Sequence, residues 1–324
     1  LATRTLTVEA ATRIPPRPWW ETWWCIALAL LLVAAPSLAA AGFTSALSAM
    51  PVLSAAAMVW LSRVAHGRIQ PSAYFALPFA DRFSTPGQTL TLAGFALWLR
   101  LARWPWPRAA AFALLSGLIY AADATGWLCL LATVFAAELA RERAVEREGL
   151  RRPWSACGWR AARACLPLAP PLVMLPTWRL GGPDDWLGSL AVKPGWLTMA
   201  LGNHWPILDA ACMIVVALVI HKSYRDRRFV HAPMLVAAGF ALVVVFIAAP
   251  NGVDTAIAPA AIALALLSIR CNARVKLRRR GEVAWAALAF LAIRSVAGVA
   301  SAAEARDFGV TVSQAGLSHP PDAR

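Results

Sequence analysis

"AAAFALLSGLIYAADATGWLCLLATVFAAELA", residues 109–140, is the stretch whose reading decides the fold. It holds no basic residue and two acidic ones, Asp123 and Glu138, and Arg108 and Arg141 flank it. A bare carboxylate at the centre of a bilayer is costly, so Asp123 needs a pairing partner, a wet cavity or a place at the membrane edge. One unbroken helix through this stretch would be about 48 Å long at ~1.5 Å per residue. Two short arms turning at Asp123-Ala124-Thr125-Gly126 would instead bring Asp123 to water.

The surrounding composition supports a membrane setting. Apolar residues make up 59% of the 324 positions and charged residues 15%, against about 25% charged in soluble domains. Mean hydropathy is +0.57. The apolar residues come in long blocks rather than in alternation, which excludes an outer-membrane barrel. The expected fold class is all-α, a polytopic transmembrane helical bundle of about 9–10 membrane segments that include short helix pairs. Net charge is +14, but the basic residues lie between apolar blocks, where they act as topology signals. No reader motif accompanies them, so nucleic acid is not an expected partner; membrane lipids are. The six cysteines form no C-x-x-C pair and suggest neither a disulfide framework nor a metal knuckle. Tryptophans such as Trp19, Trp24, Trp104, Trp106, Trp178 and Trp205 flank the blocks, as interfacial anchors do.

The chain divides into a basic N-terminal arm, residues 1–22, a multi-span domain, 23–300, and a polar tail, 301–324, expected to be loosely ordered. The arm opens on Leu1 rather than Met, which reads as a truncated start or a misread start codon. Spans are expected near 23–41, 43–61 and 84–99, in the two arms of 109–140, and near 164–180, 207–220, 232–250, 255–270 and 283–300. Pro36 and Pro51 should bend or break the first two.

Four basic clusters, at 100–108, 141–163, 222–228 and 270–280, hold 20 of the 31 Lys and Arg. The positive-inside rule gives them one shared side, the cytoplasmic one. Each gap between them then contains an even number of crossings, which makes 109–140 a hairpin. The same logic sends 63–82, 181–206, 250–254 and the tail to the other side. The arm conflicts with this scheme: two spans in 22–62 would leave Arg4, Arg13 and Arg17 outside, whereas one span plus a re-entrant helix would keep them inside.

The outer loops collect most of the polar residues that chemistry would use. Asp81, Asp123 and Asp254 are the candidate catalytic carboxylates, since a base must take a proton from an acceptor hydroxyl. Arg82, Lys193 and His204 are the candidate substrate-binding residues, the cations suited to a lipid phosphate. Each also has a structural reading. Asp81 and Arg82 can be a local ion pair, and Asp123, Asp209 and Asp254 can cap helices. Asp184 and Asp185 suit a turn, and Lys193 suits a solvated loop. His204 stands alone, so no metal site is indicated, and no cofactor is evident. Arg294, inside the last apolar block, needs a neighbouring helix or a path to the interface. Phosphate-binding glycine loops, nucleophile elbows, zincin motifs and dinucleotide fingerprints are absent from the sequence.

"YFALPFADRF" (74–83), "GWLCLLATVFAAELAR" (126–141), "KPGW" (193–196) and "PNGVDTAIAP" (250–259) together resemble bacterial inner-membrane proteins similar to the GT-C class of glycosyltransferases. The resemblance covers roughly residues 70–275. It implies many spans, short helix pairs, an active site on the non-cytoplasmic face and a polyprenyl-phosphate sugar as donor. The chain departs from that pattern in three places. It has no upstream outer loop bearing a carboxylate, it has Asp123 where a His often stands at the hairpin apex, and Thr255 and Ala256 follow Asp254 without the Arg of an Asp-x-Arg. A GT-C-like transferase at the periplasmic face is the leading expectation. The alternatives are a polysaccharide polymerase or ligase using 181–206 with His204, a non-catalytic subunit or decayed relative, and a transporter. The transporter is disfavoured because no internal repeat is present.

Overall fold

The computed structural model describes residues 21–41, 50–83, 86–146, 153–177, 193, 205–248, 257–272 and 277–317. Almost all of them are helical. The helices are α1 (Trp23–Ala41), α2 (Met50–His66), α3 (Ala73–Ala76, continued as a 3-10 helix over Leu77–Arg82), α4 (Pro86–Arg100), α5 (Pro105–Ala122) and α6 (Ala124–Glu146). They continue as α7 (Trp154–Ala164), α8 (Pro206–Arg225), α9 (Pro233–Ala248), α10 (Ile257–Ser268) and α11 (Leu277–Leu317). Two three-residue strands, β1 (Phe229–His231) and β2 (Ile269–Cys271), pair antiparallel with Val230 opposite Arg270. Helices α4, α5, α8 and α9 each begin on a proline, where the missing N–H costs nothing and the fixed φ already suits a helix. Helix α1 continues through Pro36, and Pro51 sits in the first turn of α2.

Among the described residues three helices contain segments long and apolar enough to cross a membrane: Ala124–Ala144, Pro206–Arg225 and Arg279–Glu304. The remaining apolar helices are shorter. Large apolar side chains stand exposed midway along several of them, among them Leu114, Ile214, Phe240 and Val296. An apolar exterior of that kind needs a partner other than water.

Residues 109–140 do form a hairpin. Asp123 alone breaks the helix, with φ −166° and ψ 109°, and Ala124, Thr125 and Gly126 already belong to α6. At the base of the hairpin, Arg108 and Arg141 both donate to Glu138 Oε1, at 3.0 and 2.7 Å. The Trp98 indole N–H reaches the same oxygen at 2.7 Å, and the Arg108 guanidinium lies 4.4 Å from the Trp98 ring centroid. Arg141 also approaches Met234 Sδ, at the start of α9 beside β1. The β1–β2 ribbon ties 228–232 to 268–272, and Arg280 donates to the Asn272 carbonyl. These contacts bring the described residues of all four basic clusters to one end of the molecule.

The connection after α2 corrects the topology expected from charge. His66 Nε2 lies 2.8 Å from the Leu267 carbonyl, and Ser72 Oγ donates to the Ile269 carbonyl at 2.7 Å. Residues 66–72 therefore sit at the basic end, not opposite it. From Ala73 the chain runs through the interior: Ala73, Tyr74, Ala76, Leu77, Phe79 and Ala80 are fully buried. It emerges at the far end, where Gly87 packs against Asp123 so closely that a Cβ would collide with it. One helical turn and two 3-10 turns make up this extra passage, about 18 Å long. Glu21 lines the same cleft as Arg63 and Arg68, so α1 also starts at the basic end. With that passage counted, α1 and α2 run out and back, so that Glu21 and His66 both stand at the basic end.

The tail differs as well. Helix α11 continues to Leu317, past the Ser301 boundary expected for loose structure.

Candidate functional site

The end opposite the Arg-rich one is where the sequence-derived site residues meet the fold. Asp123 is half-buried at the apex. Its Oδ1 accepts the Thr125 N–H at 2.9 Å, and its carbonyl accepts the Trp127 N–H at 3.1 Å. The first bond satisfies an orphan donor of the first turn of α6, which is capping chemistry, and the second is the helix's first i→i−4 bond. The apex is clamped from the side by α4. Thr91 Oγ1 donates to the carbonyls of Gly87 and Gly126, at 2.9 and 2.8 Å. A Cβ at Gly126 would stand 2.9 Å from the Gly87 oxygen, so this crossing is built for glycine. Beneath it lies a cavity of about 20 Å³ lined by Thr91, Gly126, Cys129, Thr133, Leu242 and Leu264, room for about one water.

Lys193 is buried rather than solvated. Its Nζ donates to the carbonyls of Phe246 and Ile247, both at 2.7 Å. These belong to the last turn of α9, where free carbonyls and the helix dipole favour a cation. Phe246 lies one turn beyond Leu242, which shares the small cavity with Gly126. Lys193 and Asp123 thus occupy the same end of two adjacent helices. Asp81 and Arg82 close the buried 3-10 helix at this end as well, with Arg82 half-buried. Asp254 and His204, like Asp184 and Asp185, lie outside the described residues.

Two polar clusters were not foreseen as units. The first is the Glu138 clamp at the hairpin base. Arg108 and Glu138 each stand fifteen residues from Asp123, so an antiparallel hairpin turning there sets them level. That spacing was the available signal. The second is the ion pair between Arg294 and Asp209, both buried. It answers the question Arg294 raised, and the partner is the carboxylate expected to be only a cap. Near it, the Trp205 indole N–H donates to Glu304 Oε2 at 3.3 Å. Among the described residues no group of three His, Cys, Asp or Glu is placed to hold a metal ion. All six cysteines are free and buried.

The far end can therefore present acidic and basic groups together, but two of its members, Asp123 and Lys193, already hold helix termini. The chain matches no known family, no curated protein and no solved structure.

Proposed function

We propose that this chain is a multi-pass protein of the bacterial cytoplasmic membrane, its Arg-rich end in the cytoplasm, and that it works at the opposite end as a GT-C-like glycosyltransferase. In this reading a sugar passes from polyprenyl phosphate to an acceptor hydroxyl. Asp81, Asp123 or Asp254 takes the hydroxyl proton, and Arg82, Lys193 or His204 steadies the phosphate. The supporting observation is that the ends of α3, α5 and α9 carry Asp81, Arg82, Asp123 and Lys193 to the end away from the four basic clusters. The positive-inside rule supplies the orientation.

A second reading, a non-catalytic membrane subunit, has its own observation. The Asp123 carboxylate and the Lys193 ammonium are both engaged in closing helix ends.

Two experiments separate them. Single cysteines replace Asp123 and Trp205 at one end, and Arg160 and Val230 at the other; the native cysteines are buried and silent. An impermeant thiol reagent on intact cells should label the first pair and spare the second. Labelling of the second pair alone would reverse the orientation and defeat both the site and the reaction. Membranes bearing the wild type, D81N, D123N or D254N are then offered polyprenyl-phosphate-linked sugar. Transfer that falls by about 100-fold or more in one variant supports the transferase. Correct labelling without wild-type transfer supports the subunit.

A further inference from the structure

A cleft of about 370 Å³ opens at the basic end between the start of α1 and the end of α2. That volume lies within the range of about 300–1,000 Å³ usual for small-molecule sites. Its lower wall is apolar: Ile26 and Leu30 from α1, Ala56, Val59 and Trp60 from α2. Its rim carries Glu21, Arg63 and Arg68. The sequence builds this rim in one step. Gly67 follows the last residue of α2 with φ +74°, a left-handed turn that closes the helix. The chain doubles back there, so Arg63, in the last helical turn, and Arg68, just past the glycine, face one opening.

The rim is electrostatically unbalanced. Arg68 and Arg270 lie close enough to Arg280 to repel it. Arg270 likewise opposes charge on His66, whose Nε2 faces the Leu267 carbonyl. Among the described residues Glu21 is the one carboxylate lining the opening. Arg63 and Arg68 line the opening above the apolar wall, and two guanidinium groups there favour an anion. Trp60, one turn below Arg63 and 37% exposed, has the depth and exposure of an interfacial anchor.

We propose that this cleft binds one anionic phospholipid from the leaflet on the basic side. Its phosphodiester lies against Arg63 and Arg68, and one acyl chain runs along Ile26, Leu30, Val59 and Trp60. Basic pockets between helices on the cytoplasmic side are suited to such headgroups, and guanidinium forks suit phosphate. The apolar wall distinguishes a lipid from free phosphate, which would gain nothing from it. The inference rests on the membrane reading above but not on any transferase activity.

The purified protein in neutral detergent is titrated with phosphatidylglycerol, phosphatidylcholine or soluble glycerol phosphate, and bound lipid is counted by native mass spectrometry. One phosphatidylglycerol should bind in preference to phosphatidylcholine, and glycerol phosphate should not compete. The R63Q/R68Q variant should weaken that binding by at least about tenfold. R63K/R68K should keep most of it, which guards against a folding defect, and R160Q should leave it unchanged. Equal binding of the two lipids, full competition by glycerol phosphate, or undiminished binding in R63Q/R68Q would each overturn the proposal. None of these outcomes depends on sugar transfer, so failure here and failure of the transferase reading remain distinct.

Discussion

Glu138 accepts three different side chains, Trp98, Arg108 and Arg141, in a nearly dry setting. Removing one partner of a buried charge cluster leaves the others unpaired, a loss of about 3–5 kcal/mol. Glu138→Leu should therefore lower the apparent melting temperature in detergent markedly; an unchanged midpoint would refute the clamp. Its legibility was partial. The hairpin could be read from charge, and the equal spacing about Asp123 pointed to Arg108, but Trp98 comes from another helix and no spacing announces it. His66 offers a pH test. Burial pushes its pKa below the ordinary 6.5, the Leu267 carbonyl works the other way, and Arg270 lowers it further. A histidine held neutral in the folded state gives stability that is complete above 6.5 and lost as pH falls below that value. Wild-type melting temperature should then fall between about pH 8 and about pH 5 more steeply than that of H66Q. Parallel curves would assign the pH dependence elsewhere.

Among the three candidate spans α8 is the most loosely embedded, with 22% of its apolar window buried against 50% in α6. Its polar moorings among the described residues include Asp209 to Arg294, Trp205 to Glu304, and Ser223 to His231. The Asp209–Arg294 pair is the buried one, so R294L should strand the carboxylate and destabilise the protein by about 3–5 kcal/mol. The double variant D209L/R294L, with no charge left to strand, should recover much of that loss. Limited proteolysis around α8 together with melting would check it; a double variant as fragile as the single one would contradict the pairing argument. At this scale the apolar blocks were plain in the sequence, whereas the proline starts of α4, α5, α8 and α9 were not read from it. Nor was the passage through α3. It is too short to register as a span, and Ser72, Tyr74 and Asp81 make it look like a polar loop, although "AYFALPFA" at 73–80 is apolar enough to be buried. The β1–β2 ribbon was equally hidden, because three-residue strands leave no periodic signal.

For the whole molecule, charge asymmetry carried most of the information. The described residues of the four clusters gather at one end, together with Glu138, Glu142 and Asp226, while Asp81 and Asp123 stand at the other. Composition could not say whether those groups do chemistry or close helices, since both roles draw on the same residue types. The cysteine-labelling prediction belongs at this scale, because it tests the sidedness of the whole chain rather than any single contact.

In the multi-pass reading proposed above, the run from Ala73 to Arg82, buried as far as Ala80, works as a parity bit. The sidedness of every element upstream of it follows from counting this one passage. A deletion of about a dozen residues there would leave α4 to α11 untouched in sequence. It would also force a conflict on α1 and α2: they must either invert, carrying Glu21, Arg63 and Arg68 to the opposite compartment, or give up one crossing. In that reading the length of this short segment matters to topology, quite apart from packing.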